Sequence, residues 1–197
     1  MSEHRKFFDS MAGSWDGMIP PGETGRLDKI LDSMNIMPGE SVLDAGCGTG
    51  ILFPLIRKRI GEKGKITGLD ISPGMLKKAE KKFPGEAELI EGDAESIPVE
   101  DGVFDRVICF SSFPHFKDRE RALKEFYRVL KENGTLHIIH TSSREDINKL
   151  HAAIEGPVKN DRIPDDDTMN NIFLSAGFGE VSVINLNNSY QASARKV

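Results

Sequence analysis

Three of the five histidines in this 197-residue chain, His115, His140 and His151, stand where a proton could be taken from a bound molecule. Imidazole ionises nearest neutrality, which makes it the natural proton acceptor at physiological pH. His115 follows an apolar run that ends at Phe110, His140 closes Leu136-His137-Ile138-Ile139-His140, and His151 lies in a helical stretch that begins near Ser143. Alternation along a strand sets His140 with Ile138 and His137 with Ile139, so these two histidines meet different surroundings. All three also read as solvated or hydrogen-bonded histidines at element ends, a reading that carries no chemistry. The sharper expectation is that they converge on one pocket, as a proton acceptor or as ligands to a metal borne by a substrate. Their spacing is not the His-x-x-x-His of a dedicated zinc site, and no metal of the protein's own is expected. Cys47 and Cys109 are the only cysteines, one in a turn and one in an apolar run, and both are expected to pack, with no disulfide and no nucleophilic role.

A second constellation lies earlier in the chain. Asp44-Ala45-Gly46-Cys47-Gly48-Thr49-Gly50 places three alternating glycines after an apolar strand and before a helical stretch at 51–60. Glycines there let the backbone turn sharply and admit a ligand against it, although tight strand-to-helix turns also occur for structural reasons alone. Asp70 ends the next strand, Ile66-Thr67-Gly68-Leu69-Asp70, where a carboxylate accepts hydrogen bonds from a ribose diol. Capping the following helix is its alternative role, one that Ser72 also fits. A dinucleotide turn needs the spacing G-x-G-x-x-G, so that a pyrophosphate sits on the helix N-terminus. Here the third glycine comes one residue sooner and Asp44 precedes the first. That carboxylate would repel a pyrophosphate and attract an ammonium, and S-adenosyl-L-methionine carries both an adenosine and an ammonium.

The stretch Asp44–Gly50 resembles the glycine-rich first motif of class I S-adenosylmethionine-dependent methyltransferases. Glu91-Gly92-Asp93-Ala94-Glu95-Ser96-Ile97-Pro98, then Phe104-Asp105-Arg106-Val107-Ile108, then Arg128-Val129-Leu130-Lys131-Glu132-Asn133-Gly134-Thr135-Leu136 resemble the subfamily that includes ubiquinone and menaquinone biosynthesis methyltransferases, the type 11 group. The resemblance implies a cofactor site of Asp44, Gly46, Cys47, Gly48, Asp70, Ile71, Asp93, Ala94 and Phe110, with the Asp93 carboxylate on the adenine amino group and the Ala94 amide facing a ring nitrogen. It also implies methyl transfer to a small-molecule acceptor through an oxygen, carbon, sulfur or metal or metalloid centre. Ser112-Phe113-Pro114-His115 departs from the Asn/Asp-Pro-Pro-aromatic segment of enzymes that methylate DNA bases or glutamine, which disfavours those substrates. A nucleotide-dependent oxidoreductase and a non-catalytic S-adenosylmethionine binder acting through a partner are the competing readings.

These residues need a scaffold. Apolar runs at 42–45, 65–69, 87–91, Phe104–Phe110, 135–140, 180–186 and 190–196 alternate with amphipathic segments, predicting an α/β fold. The expected architecture is a Rossmann-like, seven-stranded, mostly parallel sheet with helices on both faces. One domain is expected over residues 1–197, divided into an N-terminal helical arm or lid at 1–37 and a core at 38–197. The arm carries helical stretches at Glu3–Met11 and 26–34, and Phe7, Phe8, Met11 and Trp15 would close over an acceptor. The loop 156–167 is a second candidate cover, its acidic run capping the next helix, while Asn133-Gly134 should end the helix before strand five. A net charge of −5 without a basic run argues against nucleic acid as partner. No apolar stretch approaches the roughly 20 residues of a membrane span, and the first residues lack a signal-peptide core, so the expected location is the cytoplasm.

Overall fold

The computed structural model describes residues 2–197. Its helices are α1 (Glu3–Met11), α2 (Trp15–Met18), α3 (Glu23–Asp32), α4 (Phe53–Ile60), α5 (Pro73–Lys82), α6 (Arg119–Val129), α7 (Arg144–Ala153) and α8 (Asp166–Ser175). Its strands are β1 (Ser41–Ala45), β2 (Lys65–Asp70), β3 (Glu88–Glu91), β4 (Phe104–Phe110), β5 (Leu130–His140), β6 (Phe178–Leu186) and β7 (Ser189–Lys196). Helix starts are fixed by short polar side chains that satisfy otherwise unpaired amides. Ser72 accepts from Met75 N, Asp118 from Arg121 N, Ser143 from Asp146 N and Asp165 from Thr168 N.

The sheet has the order β3-β2-β1-β4-β5-β7-β6. Strands β1 to β5 run parallel, and β7 enters antiparallel between β5 and β6. Strand order reverses between β1 and β4, so the loops leaving them diverge and open a crevice beyond the carboxyl ends of the strands. Alternation sends the buried side chains of each strand to opposite faces. Leu43, Val107, Leu136 and Ile138 join Phe126 and Phe173 on one side, while Val42, Ile66 and Ile108 join Leu31, Leu52 and Ile56 on the other.

Two local expectations change. Helix α6 ends at Val129, and β5 begins at Leu130, before Asn133-Gly134. The fully buried Leu130 pairs with Phe104 and draws the chain into the sheet early. Asn133, at φ +63°, takes up the irregularity inside the strand instead of capping the helix. The segment 1–37 also divides. Leu27 and Leu31 of α3 are fully buried in the core, whereas α1 buries no residue completely, so only α1 and α2 lie across the sheet edge as an arm. No helix of the described residues is long and apolar enough to cross a membrane.

This division is measurable. Deleting residues 2–20 is expected to leave a cooperatively melting fold, whereas Leu31→Ala should cost about 2–5 kcal/mol through lost burial and the cavity left behind. Chemical denaturation followed by circular dichroism compares the two, and a deletion that abolishes the cooperative transition would place the arm in the core.

Candidate active site

Two loops meet at the crevice. The first follows β1 and turns on Gly46, Gly48 and Gly50, with φ of +77°, +53° and +80°, a region that residues with a Cβ rarely adopt. Gly46 also has no room for a side chain, since a Cβ there would stand 2.4 Å from that of Ser112 in the loop after β4. Ser112 Oγ donates to Ala45 O at 2.7 Å and lies 2.9 Å from Cys109 Sγ. The neighbouring Ser111 is held at φ +52°, a strained value for a residue other than glycine.

Asp70 holds the turn in place. Its Oδ2 accepts from Gly48 N and its Oδ1 from Ser72 N, each at 2.8 Å, tying the glycine turn to the start of α5. Burial raises its pKa against the pull of these amides. Each carboxylate oxygen has a second lone-pair direction with which to accept a ligand hydroxyl.

Asp44 is buried to 1% exposure and its Oδ2 has no hydrogen-bond partner. Burial, then the neighbouring Asp70 charge, pushes its pKa up to about 8. A buried carboxylate oxygen left without a partner beside a glycine-rich turn fits an incoming ammonium, the group that the methionyl end of S-adenosyl-L-methionine carries.

Cys47 is buried under the same turn and burial pushes its thiol well up, while the Cys109 thiol is pushed up to about 12, which leaves both inert. Asp93 is exposed and its Oδ1 accepts from Glu95 N at 3.0 Å, while Ala94 is buried beside it. Ile71 and Phe110, half-buried, follow Asp70 and close β4.

The arm lies across this edge and is fastened at each loop it crosses. Arg5 pairs with Glu91 at the end of β3. Asp9 Oδ1 accepts from Ser72 Oγ at 2.6 Å and from Gly74 N at 2.9 Å, and Asp16 Oδ1 accepts from Thr49 Oγ1 at 2.6 Å and Lys82 Nζ at 2.9 Å. Trp15 Nε1 comes within 3.8 Å of where a Gly48 side chain would begin. The Phe8 ring stands edge-on to Trp15 at 5.8 Å and to His115 at 5.1 Å.

The histidines gather beneath α1. His115 and His151 stand 4.8 Å apart between ring centroids. Burial, then His115 and His151, lowers the pKa of His140 to about 3. Its Nδ1 lies 3.5 Å from Ser111 Oγ, and its Nε2 is buried without a partner. His137, on the opposite face as alternation requires, receives Arg106 Nη1 at 2.7 Å instead. The spacing pointed to three imidazoles, but the groups that hold them were not legible. Asp161, from the loop before α8, bonds His115 Nδ1 at 2.7 Å and His4 Nε2 at 2.9 Å through one carboxylate oxygen. His151 Nδ1 lies 2.9 Å from its backbone carbonyl. Tyr190, paired with His140 across β5 and β7, is fully buried with an unpartnered hydroxyl. The contacts of Asp161 with His4 and His115 cross 157 and 46 positions, separations that no spacing rule reaches. Among the described residues no group of three or more His, Cys, Asp or Glu is arranged to hold a metal ion.

Comparison with known proteins bears on this geometry. Residues 43–138 match the family described as a methyltransferase domain. The chain is 30% identical over 210 aligned positions to the ubiquinone/menaquinone biosynthesis C-methyltransferase of Escherichia coli O1:K1, covering 91% of this chain and 84% of that protein. It is 36% identical over 125 residues to the demethylmenaquinone methyltransferase of Lactobacillus johnsonii, a match that takes in 61% of this chain and 51%, about half, of that relative. A crystal structure of a SAM-dependent methyltransferase from Aquifex aeolicus superposes with a TM-score of 0.75 over 94% of this chain and 98% of that one, at 23% identity, a likeness of fold.

The electrostatics of Asp44 give a direct test. In the free chain it is protonated below about pH 8, and beside an ammonium it ionises. Binding of S-adenosyl-L-methionine at about pH 6.5, where an α-amino group is charged, should therefore release about one proton. Calorimetry in buffers of different ionisation heat reads this, and Asp44→Asn should abolish the release. The raised pKa also means that the free chain loses stability as pH climbs from the ordinary carboxylate range through about 8, so Asp44→Asn should melt higher than the parent at alkaline pH. No proton release by the parent chain would remove Asp44 from the cofactor site.

Proposed function

Because this chain belongs to the methyltransferase family that includes the ubiquinone and menaquinone biosynthesis C-methyltransferases, we propose that it methylates a small molecule that gives up a proton from oxygen or carbon. S-adenosyl-L-methionine supplies the methyl group, carried on a sulfonium. Asp44 takes the ammonium, Asp70 the ribose hydroxyls, and Asp93 with the Ala94 amide the adenine edge, as the family resemblance implies. Gly46 and Gly48 let the methionyl chain approach the backbone, and Cys47, Ile71 and Phe110 pack around the cofactor.

The reading of the acceptor rests on one observation, the close pair of a buried His151 and a partly buried His115 at the sheet edge that carries the glycine turn. Transfer from a sulfonium needs in-line alignment and, for an oxygen or carbon acid, removal of a proton. Burial, against the bond from Asp161 and with His151 and His4 adding to it, lowers the pKa of His115, so the ring is neutral at physiological pH and keeps a lone pair to accept a proton. His151 and His140 complete the polar side of the pocket, while Phe7, Phe8 and Trp15 of the arm exclude water from it. This wall of rings suits a flat, largely apolar acceptor, and the names of the relatives support testing a demethylated quinol first.

Release of S-adenosylhomocysteine should be greatest with a hydroxylated aromatic or quinol acceptor in a panel that also holds amines and thiols. His115→Ala should lower kcat by about 100-fold or more, the usual range for a proton-transfer group. The acidic limb of the kcat profile should fall below the ordinary imidazole range, since the base works unprotonated and its pKa is depressed. Preferential turnover of amines, or an unchanged kcat in His115→Ala, would overturn this reading.

A further inference from the structure

We propose that Asp161 is a positioning residue that presents both His115 and His151 to the acceptor with their Nε2 atoms unprotonated, using its carboxylate for one ring and its backbone carbonyl for the other. This rests on the reading of His115 as the base. A carboxylate oxygen and a carbonyl oxygen only accept, so an imidazole nitrogen at 2.7 Å from the first, or 2.9 Å from the second, must be the N–H. Both contacts are made by Nδ1. Each neutral ring is thereby left with its lone pair on Nε2, the atom that can take a proton. One residue sets two tautomers, much as an outer carboxylate orients a ligating histidine.

The surroundings make Asp161 fit for this. Burial opposes its charge, but the bonds from His115 and His4 outweigh that and hold the carboxyl below its ordinary range, so it stays an acceptor. His4 reaches the same oxygen from α1, so the docked arm and the orientation of His115 share one atom. The charged and titratable groups acting on the pair come from every packed element: His4 on α1, Arg119 on α6, His140 on β5 and His151 on α7. Only Asp161 among them contributes negative charge. Burial, then His151 and His4, disfavours the imidazolium of His115, and the Asp161 carboxylate at 2.7 Å is what opposes them.

The two contacts supply their own control, because Asp161→Asn removes the carboxylate and keeps the carbonyl. Heteronuclear NMR of the full chain with 15N-labelled histidine reads tautomer and pKa without any acceptor. In the parent chain His115 and His151 should both show the Nδ1–H form, and an Nε2–H form at His115 overturns the proposal. In Asp161→Asn the His115 pKa should fall by about 1 unit or more, the effect of losing an adjacent opposite charge, while the His151 tautomer stays. An unchanged His115 pKa overturns the proposal. If both rings change because the loop has shifted, Asp161→Glu, which restores the charge, decides: recovery of the His115 pKa supports the positioning role and its absence overturns it. Full turnover by His115→Ala would refute the base while leaving these tautomers as measured, so the two failures are distinguishable.

Discussion

The site depends on a contact in which one residue has no side chain. At the point where β1 and β4 diverge, their loops touch, and a Cβ at Gly46 would lie 2.4 Å from that of Ser112. Because the loops meet there, Ser112 Oγ reaches the Ala45 carbonyl, Ser111 is forced to positive φ, and the chain is delivered to His115 one short 3-10 turn later. Because Gly46 and Gly48 carry no side chains, the Asp70 carboxylate reaches the Gly48 amide and the neighbouring Asp44 Oδ2 is left without a protein partner. The placing of the histidine-bearing edge and the shape of the glycine turn thus meet at one close approach.

The buried polar groups around that contact are not there for stability. An unpartnered carboxylate oxygen at Asp44, an unpartnered Nε2 at His140 and an unpartnered hydroxyl at Tyr190 each cost desolvation energy that no protein group returns. Apolar clusters on both faces of the sheet, with Leu43, Val107, Ile56 and Phe126 wholly enclosed, carry that cost. The distribution is that of a binding protein, with an interior that closes on itself and a rim left deliberately incomplete.

Most of the frame was legible because period and punctuation act locally. The apolar runs of β1, β2 and β4, the caps Ser72 and Asp118, and the glycine turn are each decided within a few residues. The seven-stranded, mostly parallel sheet follows from their order. Asn133-Gly134 misled because its turn chemistry is real, but burial of Leu130 against Phe104 decided where the helix stopped. The place of α3 within the segment 1–37 was not legible for a similar reason, since its apolar stripe reads alike on a lid and on a core helix until Leu27 and Leu31 are seen enclosed. In the site, the carboxylates and imidazoles could be named from their strand ends. Asp161 and His4 could not, because they meet across 157 positions and carry no motif of their own.

The order of the sheet's last strands has a consequence for how the chain is made. Among the described residues the only neighbour of β6 is β7, and β7 is inserted between β6 and β5 instead of being added outside them. As the polypeptide leaves the ribosome, β1 to β5 can zip together in sequence. Strand β6 then emerges with no rung to pair with, and β5 waits with one edge bare. Strand β6 joins the sheet only through β7, so the sheet closes only once residues 189–196 are free to pair. Until then the exposed edge of β5, which ends in His140, is the part of the nascent chain most open to capture by another strand.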